Sequence, residues 1–221
     1  MSSITLNEIK NNEKIKSYIK VADDHLDEIG FTEHGFRHAG LIAKISGEIL
    51  RLLGYPERII ELGEIAGYLH DIGNLINRND HAQNSAIIAQ NLLEELKMPY
   101  NEIAKVIGAI GNHDENHGSP VNEVAAALII ADKSDAHYKR VRNKDFSTFD
   151  IHDRVNYAVK KSSVEVDADK KEITLSLRID LEVSTVMEYF EIFLTRMMMC
   201  RKAANYLGSK FRLVINDTDL L

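Results

Sequence analysis

Cysteine occurs once in 221 residues, at Cys200. That excludes an intrachain disulfide framework and a thiolate-based zinc site, and suits a reducing compartment. Proline occurs three times, at Pro56, Pro99 and Pro120. Each falls at a break, and Pro56 and Pro99 open helical patterns, where a missing N–H costs nothing. The longest clean apolar run, residues 124–131, is far shorter than the ~20 residues that cross a bilayer. The first twenty residues are polar and charged, without the apolar stretch of a signal peptide. No basic block stands out and the formal net charge is −7, which argues against a nucleic-acid polymer as main partner. There is no internal repeat or low-complexity segment. These absences predict a soluble, cytoplasmic protein with no membrane partner. Apolar residues make up 44%, enough to bury the core of one large domain, or of one domain with a small appendage.

What is present reads as helix after helix up to about residue 162. Apolar spacing places helices near 6–29, 35–53, 56–72, 80–97, 100–113, 122–142 and 151–162, with Gly54 and Gly73 as stop signals. The period then changes. Ile173, Leu175, Leu177, Ile179, Leu181 and Val183 alternate with polar residues, as in a half-buried strand. Val164 and Val166 suggest a shorter partner strand. A long helix over about 185–207 follows, with Ser184 as N-cap and Gly208 past its end, then a strand over 211–215. The expected fold is mainly α: a helical domain over 1–162 and a small α+β (ββαβ) appendage over 163–221. The long helix is apolar on more than one side: Phe190, Phe193 and Met197 form one stripe, with Tyr189, Ile192 and Met199 off it. A homodimer through the appendage is one expectation, and packing onto the chain's own helices is the other.

The residues that point to chemistry are His70 and Asp71. They close the apolar stretch Ile65-Ala66-Gly67-Tyr68-Leu69 and precede Ile72-Gly73-Asn74. An imidazole beside a carboxylate at a helix end builds a core poorly but can hold a divalent metal, and the carboxylate can bridge two ions. His38, His81, His113 and Asp132 complete a set spread over different predicted helices. The bland alternative makes His70 and His113 core histidines and Asp132 a helix-end carboxylate, but gives no reason for all six in this order.

This order, with Asp80-His81-Ala82, Gly111-Asn112-His113-Asp114 and Ile129-Ile130-Ala131-Asp132-Lys133, resembles the HD-domain superfamily of metal-dependent phosphohydrolases over roughly residues 30–142. The resemblance implies an HD-domain helical bundle. It also implies a first metal on His38, His70, Asp71 and Asp132, a second on His81 and His113, and Asp71 bridging them. The cofactors expected are two divalent transition metal ions, Fe or Mn first, with Ni, Zn, Co or Mg as further candidates. A metal-bridged hydroxide at neutral pH would then cleave a small phosphate ester or nucleotide, with Asp71 at the centre and Lys133 as the phosphate contact. HD-GYP cyclic di-GMP phosphodiesterases carry two consecutive histidines where this chain has His113-Asp114, and a lysine where it has Asn74. Gly118-Ser119-Pro120 stands near the place of their Gly-Tyr-Pro. Relatives that hydrolyse diadenosine tetraphosphate share the spacing with a single histidine there. The His-Asp-x-x-Glu-Asp pattern of guanosine tetraphosphate hydrolases is absent.

Other polar residues carry weaker signals. His34 is a substrate contact or a helix-entry hydrogen bond. His117 is a loop residue or a further ligand, and Asp114 supports a ligand histidine or ends a helix. His25, His137 and His152 read as surface residues, with His137 near the mouth. Arg140 and Arg142, read on one helix with Asp132, are phosphate-contact candidates; Arg37 and Arg78 are weaker ones. Two rival functions remain. An HD-type di-iron oxygenase would take up oxygen with an organic substrate. A metal-retaining regulatory binding module would show no turnover.

Overall fold

The computed structural model describes residues 4–220. Helix α1 (Leu6–Asn11) and α2 (Glu13–Glu28) replace the single helix expected there. Asn12 sits between them in extended conformation, and its side chain accepts from the N–H groups of Lys14 and Ile15, capping the second helix while breaking the first. Then come α3 (Phe36–Leu52), α4 (Glu57–Leu69), a 3₁₀ turn (Ile72–Leu75), α5 (His81–Glu95), α6 (Tyr100–Gly111) and α7 (Glu123–Ser134). Pro56 and Pro99 stand immediately before α4 and α6, where their fixed φ suits entry to a helix.

The expected helix over 122–142 ends at Ser134. The Ser134 hydroxyl donates to Ala131 O at 2.6 Å, and the Asp135 carbonyl leaves the helical ladder to accept from Arg140 Nη1 at 2.9 Å. Arg140 therefore belongs to a separate 3₁₀ turn (Tyr138–Arg140), and neither it nor Arg142 shares a helix with Asp132. Two further corrections concern the C-terminal part. Helix α8 (Ile151–Ala158) stops where Val159 pairs with Ile179, so β1 (Val159–Asp167) is long. Strand β2 (Glu172–Ile179) stops short of Leu181 and Val183 because the chain turns at Asp180 to reach α9 (Val186–Tyr206). The N-cap of α9 is Thr185, in a reciprocal capping box with Glu188, and the Ser184 hydroxyl donates to the same carboxylate at 3.0 Å.

Strands β3 (Lys210–Ile215) and a two-residue β4 (Thr218–Asp219) complete a sheet in the order β1-β2-β3-β4. The β2–β3 pair is parallel and the other two are antiparallel. Helix α9 is the crossover that the parallel pair requires. The ββαβ pattern thus gains a short fourth strand.

Helix α7 explains the longest apolar run. It is buried all round, as a helix apolar on every face must be. Ala126, Ala127, Ile129 and Ile130 join a core shared with α9 and the sheet. Val124, Ala125, Leu128 and Ala131 join a second core with α2, α3, α4 and α6. Tyr189, Phe193, Met197, Met199 and Cys200 of α9 are buried in the first of these, so its second apolar side is covered within the chain, while Met187, Leu194 and Met198 stay exposed.

Helices α3 and α4 approach closely one turn before His70. A Cβ on Gly67 of α4 would sit 2.8 Å from both Cα and N of Ala43 in α3. Gly67→Ala is expected to force the two helices apart and to lower stability by about 1–3 kcal/mol, as overpacking does. Urea unfolding of the metal-free protein checks this; an unchanged midpoint would contradict the close contact.

Candidate metal centre

Five segments converge at one end of the helical core. His38 lies in the first turn of α3, and His70 is the residue after α4, with Asp71 opening the 3₁₀ turn. His81 begins α5, His113 follows α6, and Asp132 is in the last turn of α7. His38, His70, Asp71, His81 and His113 are buried and Asp132 is half-buried.

The histidine rings are fixed by groups that helix ends leave over. The last carbonyls of a helix have no intrahelical donor. His70 Nδ1–H donates to Gly67 O at 2.8 Å and His113 Nδ1–H to Ile110 O at 2.6 Å, each in the last turn of the preceding helix. His81 Nδ1–H donates to Arg78 O at 3.1 Å. His38, inside a helix, donates instead to Asp135 Oδ2 at 2.7 Å. With every Nδ1 committed as a donor, every Nε2 faces the centre, the orientation that metal-ligating histidines adopt.

The Nε2 atoms form two pairs. Those of His38 and His70 are 3.2 Å apart, and so are those of His81 and His113. Asp71 stands between the pairs. Its Oδ2 lies 3.5 Å from His38 Nε2 and 3.2 Å from His70 Nε2, and its Oδ1 lies 3.5 Å from His81 Nε2 and 3.9 Å from His113 Nε2. Asp132 Oδ1 joins the first pair, 3.5 Å from His38 and 3.6 Å from His70. Ligands about 2.1 Å from an ion are separated by ~3.0–3.4 Å along the edges of an octahedral or tetrahedral shell, close to these spacings. Three overlapping groups meet the requirement that their ligand atoms lie within 4.8 Å of one another: His38, His70 and Asp71; His70, His113 and Asp132; Asp71, His81 and His113.

The electrostatics differ between the halves. Burial and the Arg140 charge push His38 down, but the carboxylates of Asp132, Asp135 and Asp71 outweigh them and raise its pKa to about 10. His70 is raised to about 9 by Asp71 and Asp132 against burial. Protons thus occupy this half in the metal-free chain. His81 and His113 are pushed down, chiefly by burial. They face each other as neutral rings with two bare lone pairs 3.2 Å apart, which a cation would relieve. Burial opposes ionisation of Asp71 and Asp132. The neighbouring imidazoles, and Lys133 for Asp132, more than offset it and hold both well below the usual carboxylate range. The donor set fits divalent transition metals: imidazole nitrogen with anionic oxygen, and no thiolate.

Around this lies a charged collar that the sequence reading missed in part. Asp135, 3% exposed, also pairs with Arg37 at 2.8 Å. Its position three after Asp132 was the available signal. Lys133 is buried between Asp132 (2.8 Å) and Glu115 (2.6 Å), and Glu115 also holds Arg196 at 2.8 Å. The Lys133 ammonium is thus occupied by two carboxylates, and contact with a phosphate would require one of them to yield. Nothing local in the sequence marks Arg196.

The remaining expected residues scatter. His34 precedes α3 and donates from Nδ1 to Thr32 O at 2.6 Å, with its ring 5.4 Å from that of His38. Asp114 Oδ2 is 3.9 Å from His81 Nε2. His117 lines an open depression beside His81 with Arg78 and Asp114. Arg142 pairs with Asp23. His25 and His152 are exposed, while His137 is half-buried and caps a turn.

Parts of the chain are similar to known proteins. Residues 33–137 match the HD domain family. An uncharacterized protein of Methanocaldococcus jannaschii is 25% identical over 193 residues, covering 77% of this chain and 74% of that protein. Ribonuclease Y of Lawsonia intracellularis is 30% identical over 100 residues, 45% of this chain but only 17% of that enzyme. A crystal structure of a predicted HD superfamily hydrolase from an uncultured Thermotogales bacterium is 22% identical, with a TM-score of 0.45, and the match covers 61% of this chain and 75% of that one. The match over residues 33–137 contains all six residues of the His/Asp cluster, and this segment of the chain is an HD domain.

Proposed function

We propose that the protein is a metal-dependent phosphohydrolase with two divalent ions, acting on a small phosphate ester or nucleotide. The observation that carries this reading is Asp71, whose two oxygens face two separate pairs of Nε2 atoms. One ion would be held by His38, His70, Asp132 and Asp71, and the other by His81, His113 and Asp71, with Fe or Mn the first choices for this donor set. Divalent ions here supply Lewis acidity toward a phosphoryl oxygen and acidify water toward neutral pH, so no serine or cysteine nucleophile is needed. The chain's own residues do the holding. Asp135 and the helix-end carbonyls orient the imidazoles, and Lys133 keeps Asp132 ionised and in place.

Charge favours an anionic substrate. Once metal displaces the protons of His38 and His70 the imidazoles are neutral, and six carboxylates (Asp71, Asp132, Asp135, Asp114, Glu115, Glu33) face four cations (Lys133, Arg37, Arg140, Arg196), two negative charges in excess before the ions are counted. Two divalent ions would reverse this to two positive charges in excess, since bound cations dominate a local field. Among the described residues no helix is long and apolar enough to cross a membrane.

The test is metal analysis after reconstitution with Mn or Fe, followed by a phosphate-release screen over monoesters and nucleotides. Two equivalents are expected in the wild type. His81→Ala should fall to one, because His38, His70 and Asp132 are untouched. One equivalent in both proteins would sink the two-ion reading, and full loading without phosphate release from any ester would sink the hydrolase reading.

A further inference from the structure

A cavity of about 270 Å³ lies beside the centre, walled by the α2–α3 connection, the start of α8 and helix α9. His34, Arg140 and Arg196 line it, with Phe31 and Phe193 as apolar walls and the carboxylates of Asp150 and Asp153 at the start of α8. None of the six His and Asp residues lines it, but two of its lining residues connect to them. His34 lies edge-on to His38, and Arg196 shares Glu115 with Lys133, which holds Asp132. Arg196 lies outside residues 33–137, in the appendage helix.

Both guanidinium groups are partly uncommitted. Arg196 donates from Nε to Glu115 at 2.8 Å, and neither Nη group has a hydrogen-bond partner among the described residues. The Phe193 ring lies 4.6 Å from the Arg196 guanidinium carbon, which fixes the plane of the fork. Arg140 is buried and gives Nε to Glu33 O (3.2 Å) and Nη1 to Asp135 O (2.9 Å), leaving Nη2 without a partner among the described residues. Asp150 and Asp153 balance the two guanidinium groups in overall charge, so it is the free Nη groups and not a net positive charge that suit an anion; the planar fork matches phosphate oxygens. Phe31, 40% exposed, is shared by this cavity and the depression at His81. The volume is at or below the lower end of the ~300–1,000 Å³ usual for ligand pockets, so it suits one organic group and not a polymer.

We infer that this cavity is the substrate pocket, in which Arg196 with Arg140 holds the phosphate of a monoester whose flat, largely apolar organic group lies against Phe31. The inference rests on the phosphohydrolase reading for the reaction, but the binding it asserts is separable from turnover. The appendage helix then forms one wall of the active site, and Arg196 is a binding residue supplied from outside the HD segment.

The experiment is calorimetric titration of the manganese-loaded full chain with phenylphosphonate and methylphosphonate, neither of which has an ester bond to cleave. The wild type should bind the phenyl compound more tightly. Arg196→Gln should weaken both by about 10–100-fold, the loss of a hydrogen bond to a charged group, at unchanged manganese content. Phe31→Ala should remove the preference for phenyl and spare methylphosphonate. Unchanged affinities in Arg196→Gln, or an intact phenyl preference in Phe31→Ala, would overturn the pocket. Should Arg196→Gln lose manganese through Glu115, Arg196→Lys decides in its place. It keeps the charge and loses the fork, so weaker binding of both ligands is expected and wild-type affinity overturns the assignment. Arg196-dependent binding with no ester hydrolysed would refute the hydrolase reading alone, and hydrolysis with Arg196-independent binding would refute the pocket alone.

Discussion

Asp71→Ala is expected to lower phosphate release on the order of 10³-fold or more, beyond the loss of about 10²–10³ that follows removal of a single oxyanion donor. Among the described residues Asp71 is the carboxylate within 4 Å of both histidine pairs, so its removal opens both halves at once. Metal content should drop in parallel, whereas His81→Ala should cost one ion. The helical fold should persist, because Asp71 belongs to neither apolar core. Circular dichroism, metal analysis and kcat on one preparation check the three together. Near-normal turnover by this variant after chelation would refute a metal-centred mechanism.

Asp135→Ala should have the largest effect on stability. Its side chain is buried and receives the His38 Nδ1–H at 2.7 Å and the Arg37 guanidinium at 2.8 Å, with Arg140 Nε 3.8 Å away. Truncation leaves three positive or donating groups without their shared anion, and breaking a buried pair from one side costs about 3–5 kcal/mol. It also frees the His38 ring, and loss of such an outer partner typically lowers metal affinity about 10–100-fold. Urea unfolding of the metal-free protein and a competitive metal titration read the two effects separately. A midpoint like that of the wild type would show that Asp135 does not anchor the collar.

The sign of the pH dependence follows. Burial opposes ionisation of Asp135, but the hydrogen bond from His38 and the Arg140 charge outweigh it and hold its pKa far below the usual carboxylate range. Its stabilisation is therefore fully present above the unfolded value of about 3.9. It is lost as pH falls below that value and through the depressed folded one. Asp135→Ala should accordingly flatten the acid limb of the wild-type stability profile in the metal-free protein.

Several features were legible from the sequence because they are local. Apolar periodicity places most of the helices, the alternation from Ile173 marks a strand, and residues 124–131 fall in an expected helix that does form. The six His and Asp residues are legible because metal chemistry restricts residue types and each sits at or near a helix end; for His70 and His113 the preceding turn offers a carbonyl to hold the ring. The boundaries that came out differently were set by long-range partners: Arg140 draws out the Asp135 carbonyl and ends α7, and Ile179 recruits Val159 into a strand. The charged collar and the cavity were decided by tertiary structure alone. Arg196 meets Glu115 across 81 residues and Asp135 meets His38 across 97, and no local pattern encodes such pairs. Sequence spacing fixes which side chains share a helix face; which faces meet, and so which cations stand beside the histidines, depends on how α7 packs between its two cores.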